Sequence, residues 1–380
     1  MPGMEPIECG TVAMPSSGRR EPTPIPVHRA RRPTTHPGVQ GVQGWPRSVD
    51  GWEAGTLRYD DWGGRSPRWA GVRSETVDVR GTAAHVLRAD AGTDAPPGAP
   101  THLLLHPMTS GATMWLDVIN PLTALGPVVA PDLPGAVLGE TAAPIPQAGK
   151  AQPRARFVRA LTSALGLERV VVHGWSMGAL VALRFAAATP ERVAGLVLVG
   201  APLPVPMSKP ERLGWRTVGR AALELGTALS RVAVRLGGSR AAARKSRYTD
   251  PDQPSTRIDK AAGGDLSRCS REFFALLSEQ LGELASKPGR MDASVLAFAS
   301  VLDAILIDQR PTLAAIQTVK APTLVMWGDQ DPFIEQPMVD QIAELRPDWQ
   351  FEQFARAGHL LPVELPDEYV RLVGTWLASQ

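Results

Sequence analysis

Short, continuous runs of apolar residues recur along most of the chain and alternate with longer stretches of helical spacing. Because polar residues do not interrupt these runs, they are typical of strands that helices cover on both faces. They lie at residues 103–105, 128–130, 170–172, 196–199 and 324–327. The intervening helical stretches lie at residues 154–165, 178–188 and 336–345. This alternation predicts the α/β fold class, with a doubly wound, mostly parallel sheet and right-handed crossovers.

The two ends of this region have patterns of their own. Residues 75–79 and 83–87 flank a turn at Arg80-Gly81, which predicts an antiparallel hairpin. At the other end, residues 350–354 predict the last strand, and a closing helix is expected at 367–378. The ordered core is therefore expected to consist of residues 72–202 and 310–380.

The first 47 residues differ from the core in composition. They are rich in Pro, Gly and Arg and lack a periodic apolar pattern. Such a segment cannot bury enough surface to offset the entropy cost of ordering it. We therefore predict a disordered extension at residues 1–47, the alternatives being a misassigned upstream start codon and a basic tail that grips an anionic surface.

The long interval between the strands at 196–199 and 324–327 has only helical patterns. The predicted helices lie at residues 212–236, 271–285 and 293–307. We interpret residues 203–309 as an all-helical cap over the carboxyl edge of the sheet. Residues 209–247 contain ten Lys or Arg and only two acidic residues. The favoured interpretation is an amphipathic lid helix with its polar face in solvent; contact with an anionic membrane or steering of an anionic substrate is less favoured.

The composition excludes several classes of function. The formal net charge is only +2, so the whole chain offers no electrostatic reason to bind nucleic acid. Its two cysteines, Cys9 and Cys269, are too few for a disulfide framework or a thiolate metal site, and we interpret both as free thiols. No apolar run reaches the roughly 18–20 residues of a membrane span, and the N-terminus lacks the apolar segment of a secretory signal. We therefore expect a cytoplasmic protein that uses no metal and no cofactor.

A serine lies at the point where a predicted strand meets a predicted helix. Residues 174–178, with the sequence Gly-Trp-Ser-Met-Gly, follow the strand at 170–172 directly. A nucleophilic serine needs a sharp turn that lifts its hydroxyl clear of the sheet, and flanking glycines let the backbone approach that turn. The helix N-terminus then favours negative charge near the hydroxyl. Ser176 is therefore the predicted nucleophile; the alternative is an ordinary turn whose hydroxyl only caps the helix.

On an open α/β sheet, the members of a catalytic triad follow one another along the chain in the order serine, acid, histidine. One histidine and two candidate aspartates of this chain fit that order. His359 is the only one of the seven histidines that follows the last predicted strand, which makes it the predicted base. Asp329 and Asp331 both follow the strand at 324–327. We favour Asp331 as the acid, because the chain must travel some distance from the strand before it reaches the histidine. Asp329 is expected to bond the backbone of its own turn.

An oxyanion hole requires two backbone N–H donors beside the nucleophile. Met177 directly follows Ser176 and is expected to supply one donor. The second should come from the loop after the strand at 103–105, and Met108 is the candidate. Pro107, the residue before it, has no N–H and cannot serve.

These residues together resemble the α/β-hydrolase superfamily, whose motifs occur in the same order along residues 75–380. The matching segments are residues 106–108 for the His-Gly-x-x loop, 131–135 for the Pro-Asp-x-x-Gly turn, 174–178 for the nucleophile elbow, 328–331 for the acid turn and 358–366 for the terminal histidine motif. The resemblance implies the α/β-hydrolase fold with a cap, and triad roles for Ser176, Asp331 and His359. Two departures are Pro107, in place of a glycine, and residues 136–141, which lack the usual His-Gly-x-Ser.

The elbow serine narrows the chemistry that the resemblance implies. Haloalkane dehalogenases and epoxide hydrolases of this fold carry aspartate where this chain has Ser176, so serine indicates acyl chemistry. The predicted function is hydrolysis of an ester-like bond in a small-molecule acyl substrate, as in carboxylesterases, thioesterases and lactonases. The alternatives are an acyltransferase, a C–C bond hydrolase and, least favoured because the triad is intact, a catalytically silent scaffold. The sequence assigns no oligomeric state.

Overall fold

Eight strands of the described residues form one sheet. The computed structural model describes residues 61–238, 262–284 and 289–380, so the predicted extension at 1–47 and Cys9 lie outside the described residues. The strands are β1 Arg73–Val79, β2 Thr82–Ala89, β3 Thr101–Leu105, β4 Val128–Pro131, β5 Val170–Trp175, β6 Val193–Val199, β7 Thr323–Gly328 and β8 Gln350–Phe354. They are ordered β1-β2-β4-β3-β5-β6-β7-β8. The β1/β2 and β2/β4 pairs are antiparallel and all other neighbours are parallel, which confirms the predicted fold class and hairpin.

Helices cover both faces of this sheet. Their bounds are α1 Trp62–Arg65, α2 Leu116–Leu122, α3 Ala151–Ala164, α4 Met177–Ala188, α5 Lys209–Gly214, α6 Arg220–Ala233, α7 Arg271–Gly282, α8 Arg290–Leu302, α9 Arg310–Thr318, α10 Gln336–Leu345, α11 Leu361–Glu364 and α12 Pro366–Ala378. Helices α3, α4, α9 and α10 contribute to the core on one face, and α2 and α12 to the core on the other. No described helix is long and apolar enough to cross a membrane.

The strand β5 shows why the apolar runs are continuous. Val170 and Val172 belong to the core on the α3/α4 face, whereas Val171 and Trp175 belong to the core on the α2/α12 face. Successive side chains of a strand point to opposite faces, so a strand buried on both faces needs an apolar residue at every position. The parallel direction of the strands positions the site, because the carboxyl ends of parallel strands meet at one edge of the sheet.

Packed structure begins earlier than the predicted boundary at residue 72. Trp62 and Trp69 are buried, and the Trp69 indole N–H donates to the carboxylate of Asp117 at 2.7 Å. Their short helical turns have no room for an apolar periodicity, so the pattern along the chain did not reveal them. Two large indole side chains in a short segment were the available signal, because tryptophans contribute large apolar areas to cores.

The described part of the insertion between β6 and β7 is helical, as predicted. Its first helix starts at Lys209, ahead of the predicted residue 212, because Ser208 and Glu211 form a capping box. It continues through π turns at Trp215–Gly219 and Val234–Gly238. Helix α8 similarly continues through a π turn at Asp303–Ile307. Residues 239–261 and 285–288 of the predicted cap lie outside the described residues.

Candidate active site

Ser176 occupies a strained turn between β5 and α4. Its φ is 53° and its ψ is −121°, a backbone conformation that L residues rarely adopt and that costs of the order of 1–3 kcal/mol. The Ser176 N–H donates to the Val199 carbonyl of β6 at 2.8 Å, which holds the turn at the sheet edge. A side chain on Gly178 would collide with the Leu105 carbonyl oxygen of β3. The glycine after the serine is therefore required by the close approach of α4 to the sheet.

His359 and Asp331 form a hydrogen-bonded pair at the same edge. The distance from His359 Nδ1 to Asp331 Oδ2 is 2.7 Å; the carboxylate side chain is fully buried, and the imidazole is 13% exposed. An ionised carboxylate can only accept a hydrogen bond, so His359 Nδ1 must carry the ring hydrogen and donate it. Nε2 is then unprotonated and free to act as a base. The structure thus brings together the predicted base and the favoured acid.

The two aspartates of the acid turn have different environments. Asp329 is exposed, and its backbone N–H donates to the Phe354 carbonyl at 2.9 Å. The expectation that the Asp329 side chain bonds its own turn is wrong: among the described residues that bond belongs to Asp331, whose Oδ1 accepts from the Phe333 N–H at 2.9 Å. One carboxylate of this turn therefore both shapes the loop and orients the histidine.

The loop that carries His359 is held on both sides. The Trp175 indole N–H donates to the His359 carbonyl at 2.8 Å, and the His359 N–H donates to the carbonyl of Ala262 at 2.8 Å. Glu364 accepts from the N–H of Gly358 at 3.1 Å and from that of Asp265 at 3.1 Å. Burial raises the pKa of the Glu364 carboxyl, although these donors act in the opposite direction. Ala262 and Asp265, in the middle of the insertion, therefore hold the loop that carries His359.

Gly200, directly after β6, lies beneath the His–Asp pair. Its φ is +48°, and a Cβ at this position would lie 3.0 Å from His359 Nδ1 and 3.2 Å from Asp331 Oδ2. Both the backbone conformation and the space therefore require glycine. The sequence alone did not reveal the role of Gly200, although a glycine at the carboxyl end of a buried strand was a usable signal.

The loop of the predicted oxyanion donor is shaped by a buried histidine. His106 Nδ1 lies 2.7 Å from the Pro107 carbonyl, and His106 Nε2 accepts from the Leu133 N–H at 3.0 Å, so Nδ1 carries the hydrogen. Burial, with a contribution from Arg154, lowers the pKa of His106 to about 4. No described residue accepts a hydrogen bond from the Met108 N–H, and Met108 lies on the wall of the cavity described below.

A buried arginine, which no local sequence pattern predicts, lies behind the elbow. Arg154 of α3 donates from Nε to the Pro134 carbonyl at 3.1 Å and from Nη1 to the Met177 sulfur at 3.2 Å. No carboxylate of the described residues is within ion-pair distance of it. Burial lowers the pKa of Arg154 to about 9, so it remains protonated at neutral pH. Its charge lies beside the residue that is expected to supply an oxyanion donor.

Cap residues also clamp the segment that departs from the superfamily pattern. The Arg290 guanidinium donates to the carbonyls of Ala136, Glu140 and Thr141 at 2.7, 3.0 and 3.0 Å. This explains how residues 136–141 adopt a defined path without the usual His-Gly-x-Ser. One cation of α8 holds this segment by bonding three of its backbone carbonyls, and the local sequence does not reveal that contact.

His173, on β5, has no part in the catalytic edge. Its Nδ1 lies 2.6 Å from the Tyr369 hydroxyl and its Nε2 lies 2.8 Å from His102 Nδ1. Burial lowers the pKa of His102 to about 4 and that of His173 well below its ordinary value. These two histidines are therefore neutral core residues at physiological pH.

Ser176 and His359 share a cavity of about 480 Å³. Its wall is mostly apolar and comes from the sheet edge, the oxyanion loop and the insertion. Among the described residues the wall carries no Arg, Lys, Asp or Glu. Its apolar members include Met108, Met114, Leu138, Phe273, Phe274, Leu277, Leu281, Phe298, Val301, Leu302, Ile305, Phe333, Ile334 and Leu360. The site therefore combines a nucleophile–base–acid arrangement with an apolar chamber.

The comparison with protein families defines the class of this protein. Residues 103–372 match the model of the alpha/beta hydrolase family. The chain therefore belongs to the alpha/beta hydrolase family and is a hydrolase enzyme. An elbow serine, a histidine–carboxylate pair and a two-donor oxyanion hole are typical of this family.

Two curated relatives and one solved structure are similar to this chain. The chain is 27% identical to a 2-hydroxy-6-oxononadienedioate/2-hydroxy-6-oxononatrienedioate hydrolase of Dechloromonas aromatica, with 74% of this chain and 87% of the relative aligned. It is also 27% identical to a 2-hydroxy-6-oxo-6-phenylhexa-2,4-dienoate hydrolase of Burkholderia cepacia, over 73% and 87% of the two chains. The solved enol-lactonase of Burkholderia xenovorans is similar in fold, with a TM-score of 0.57, 17% identity, and coverage of 80% of this chain and 100% of that one.

Proposed function

We propose that this enzyme hydrolyses an uncharged, apolar acyl compound, such as a carboxylic ester, thioester or lactone, through an acyl-enzyme on Ser176. The observation that carries the proposal is the His359–Asp331 pair at 2.7 Å, beside an apolar cavity that also contains the elbow serine. In this mechanism Ser176 Oγ attacks the carbonyl carbon and His359 Nε2 takes its proton. The N–H groups of Met177 and Met108 stabilise the oxyanion.

The remaining steps return the enzyme to its starting state. The tetrahedral intermediate collapses, the bond to the leaving oxygen or sulfur breaks, and His359 gives its proton to that leaving group. Water then attacks the acyl-enzyme while His359 takes a proton from it, which releases the acid and restores the Ser176 hydroxyl. Asp331 remains ionised and stabilises the imidazolium that forms twice in each cycle.

The cavity wall supports an apolar acyl group. A buried carboxylate needs a cationic partner, because an unpaired ion is costly in an apolar environment. The described wall offers no Lys or Arg, whereas Phe273, Leu277 and Ile305 offer apolar contact. Each methylene buried there contributes about 0.8 kcal/mol.

Hydrolysis of a C–C bond is the second candidate, and the names of the two relatives support it. A 2-hydroxy-6-oxo-dienoate has a ketone and no ester, so its hydrolysis requires cleavage of a carbon–carbon bond. The same serine, histidine and oxyanion donors serve that reaction. It ranks second here because such substrates are carboxylate ions, and the described cavity wall supplies no cation to bind them.

A substrate panel distinguishes the two candidates. The purified enzyme is assayed with p-nitrophenyl esters from acetate to dodecanoate and with 2-hydroxy-6-oxo-6-phenylhexa-2,4-dienoate, followed by loss of its conjugated absorbance. We expect kcat/KM for the esters to rise at least about tenfold from acetate to octanoate, as apolar contacts accumulate. Turnover of the dienoate in the absence of ester turnover would favour the C–C reaction. Failure of a fluorophosphonate to label Ser176 would overturn both.

A further inference from the structure

Arg154, the fourth residue of α3, is a buried cation that the proposed mechanism does not use. Its surface is only 1% exposed, and its bonds to other described residues go to one carbonyl and one thioether, not to a carboxylate. A buried charge without a counter-ion is costly, and the start of a helix disfavours a cation further. An apolar side chain of similar length would pack here at lower cost. Stability therefore does not explain why this residue is an arginine.

One of the two bonds of Arg154 reaches the first predicted oxyanion donor. The guanidinium Nη1 donates to the sulfur of Met177 at 3.2 Å. Met177 directly follows the elbow serine, and its side chain is fully buried. The guanidinium therefore fixes this side chain and places a positive charge directly behind the residue whose N–H is expected to meet the oxyanion.

The other bond leads to the second predicted donor through the turn after β4. Arg154 Nε donates to the Pro134 carbonyl at 3.1 Å, and the N–H of the residue before that proline donates to His106 Nε2 at 3.0 Å. On the far side of the ring, His106 Nδ1 donates to the Pro107 carbonyl at 2.7 Å. This carbonyl and the Met108 N–H belong to one planar peptide group, so the bond fixes the direction of that N–H. Arg154 is thus connected to both donors.

In the proposed mechanism an anion forms in front of this cation, but only during catalysis. The carbonyl oxygen of the substrate becomes negatively charged when Ser176 attacks, and the N–H groups of Met177 and Met108 stabilise it. A fixed charge in a water-excluded interior acts on such an anion more strongly than it would in water, and it needs no reorganisation. The tetrahedral intermediate therefore supplies the counter-ion that Arg154 lacks in the resting enzyme.

We propose that Arg154 is a positioning residue of the oxyanion hole, which holds both donors in place and adds a fixed positive charge behind them. This role rests on the proposed acyl-enzyme mechanism, and it is the same for an ester and for a C–C bond, since the oxyanion donors serve both reactions. The charge acts on the intermediate and not on the uncharged substrate. Loss of Arg154 should therefore lower kcat and leave KM nearly unchanged.

Three substitutions in the full-length enzyme test this role. R154M removes the charge but keeps a side chain of similar length, whereas R154K keeps a charge. The matched control, R184M, removes a half-buried cation from the same face of α4 as Met177, seven residues further from the elbow. Arg184 also bonds a side chain of α3, that of Gln152, at 3.1 Å.

The measurements separate the intermediate from the bound substrate. For each variant, kcat and KM are determined between pH 6 and 8.5 with the p-nitrophenyl ester that the wild type hydrolyses fastest. The inhibition constant of a trifluoromethyl ketone of the same chain length is determined in parallel, because its adduct with Ser176 carries an oxyanion. Thermal melting checks that each variant is folded.

We expect R154M to lower kcat at least about tenfold, to change KM by less than about twofold and to weaken inhibition by the ketone about as much as it lowers kcat. R184M should resemble the wild type. The lysine of R154K should lose its proton at a lower pH than Arg154 does, because lysine has the lower ordinary pKa and burial lowers it further. The kcat of R154K should therefore exceed that of R154M at pH 6 and approach it at pH 8.5.

Three results would overturn this role and leave the proposed function intact. They are a folded R154M with kcat within about twofold of the wild type, an equal loss of kcat in R184M, and an R154K profile that runs parallel to that of the wild type. The last result shows that the charge has no part, and it decides the question even if R154M does not fold. Failure of a fluorophosphonate to label Ser176 of the wild type would instead overturn the proposed function, and this role with it.

Discussion

At the scale of single side chains, catalysis by this enzyme should depend on the Ser176 hydroxyl. The strained backbone of this residue projects the hydroxyl into the cavity that it shares with His359. We expect Ser176→Ala to lower ester turnover by about 10⁴-fold or more and to leave the melting temperature close to that of the wild type. Steady-state assays and thermal melting measure the two quantities. Wild-type activity in a folded variant would remove Ser176 from the mechanism.

Substitution of Asp331 should reduce turnover far more than substitution of Asp329, two positions earlier. Asp331→Asn replaces the acceptor of the His359 Nδ1–H bond with an amide, which favours the wrong tautomer at Nε2. The expected loss in kcat is on the order of 10³ to 10⁴. Asp329→Asn is the matched control, because the Asp329 side chain is exposed and bonds no described residue; its kcat should remain within about twofold. Equal losses in the two variants would contradict the assignment of the acid.

At the scale of elements, the contact between α4 and β3 should tolerate no side chain at Gly178. A methyl group there collides with the Leu105 carbonyl, which is backbone and cannot rotate away. Gly178→Ala should therefore destabilise the fold by about 2 kcal/mol or more and displace the elbow, so that kcat falls as well. Urea unfolding and ester assays measure both effects.

Gly226 in α6 provides the matched control for this substitution. It is also a helical glycine, but a Cβ there has no neighbour within 4 Å. Gly226→Ala should leave activity unchanged and stabilise the protein by up to about 1 kcal/mol, through the higher helix propensity of alanine. If both variants behaved alike, close packing at the elbow would not be the cause of the loss.

At the scale of the whole molecule, buried neutral histidines should make the fold sensitive to mild acid. Burial lowers the pKa of His102 and His106 to about 4, and that of His173 well below its ordinary value. The unfolded chain binds protons at these residues below about pH 6.5, whereas the folded chain does not. The contribution of these neutral histidines to the free energy of unfolding is therefore at its maximum above pH 6.5, and it decreases as the pH is lowered towards 4. Lowering the pH from 7 to 5 should reduce the free energy of unfolding by about 2 kcal/mol for each of these histidines.

Urea unfolding between pH 5 and pH 8 tests this expectation. His102→Gln removes one of the three groups, so unfolding of this variant should take up about one proton fewer. The slope of the unfolding free energy against pH should then decrease by at most about 1.4 kcal/mol per pH unit. An unfolding free energy that stays constant from pH 7 to 5 would show that the three histidines are protonated in the folded state.

The sequence by itself predicted the fold class, which the structure confirms, and the candidate nucleophile and base. These follow from local rules: apolar residues at every position of a strand covered on both faces, glycines around a sharp turn, and the order of motifs along the chain. The signals fail for short elements, which is why the buried Trp62 and Trp69 were not anticipated. The pattern also predicted that the first cap helix turns its polar face to solvent, and that expectation is wrong. Leu225 and Leu229 are exposed, whereas Arg231 bonds Asp292 of α8. Only packing decides which face of a helix meets the protein.

Only the tertiary structure decided the features that join distant parts of the chain. Spacing ranked Asp331 above Asp329, but sheet geometry set the 2.7 Å distance to His359. Gly200 became necessary only because the His–Asp pair lies above it, and Arg154 only because α3 lies behind the elbow. Each depends on contacts between residues that are far apart in sequence, and no local periodicity records such contacts. Chain order constrains which residues can meet at the sheet edge, whereas packing determines which of them do.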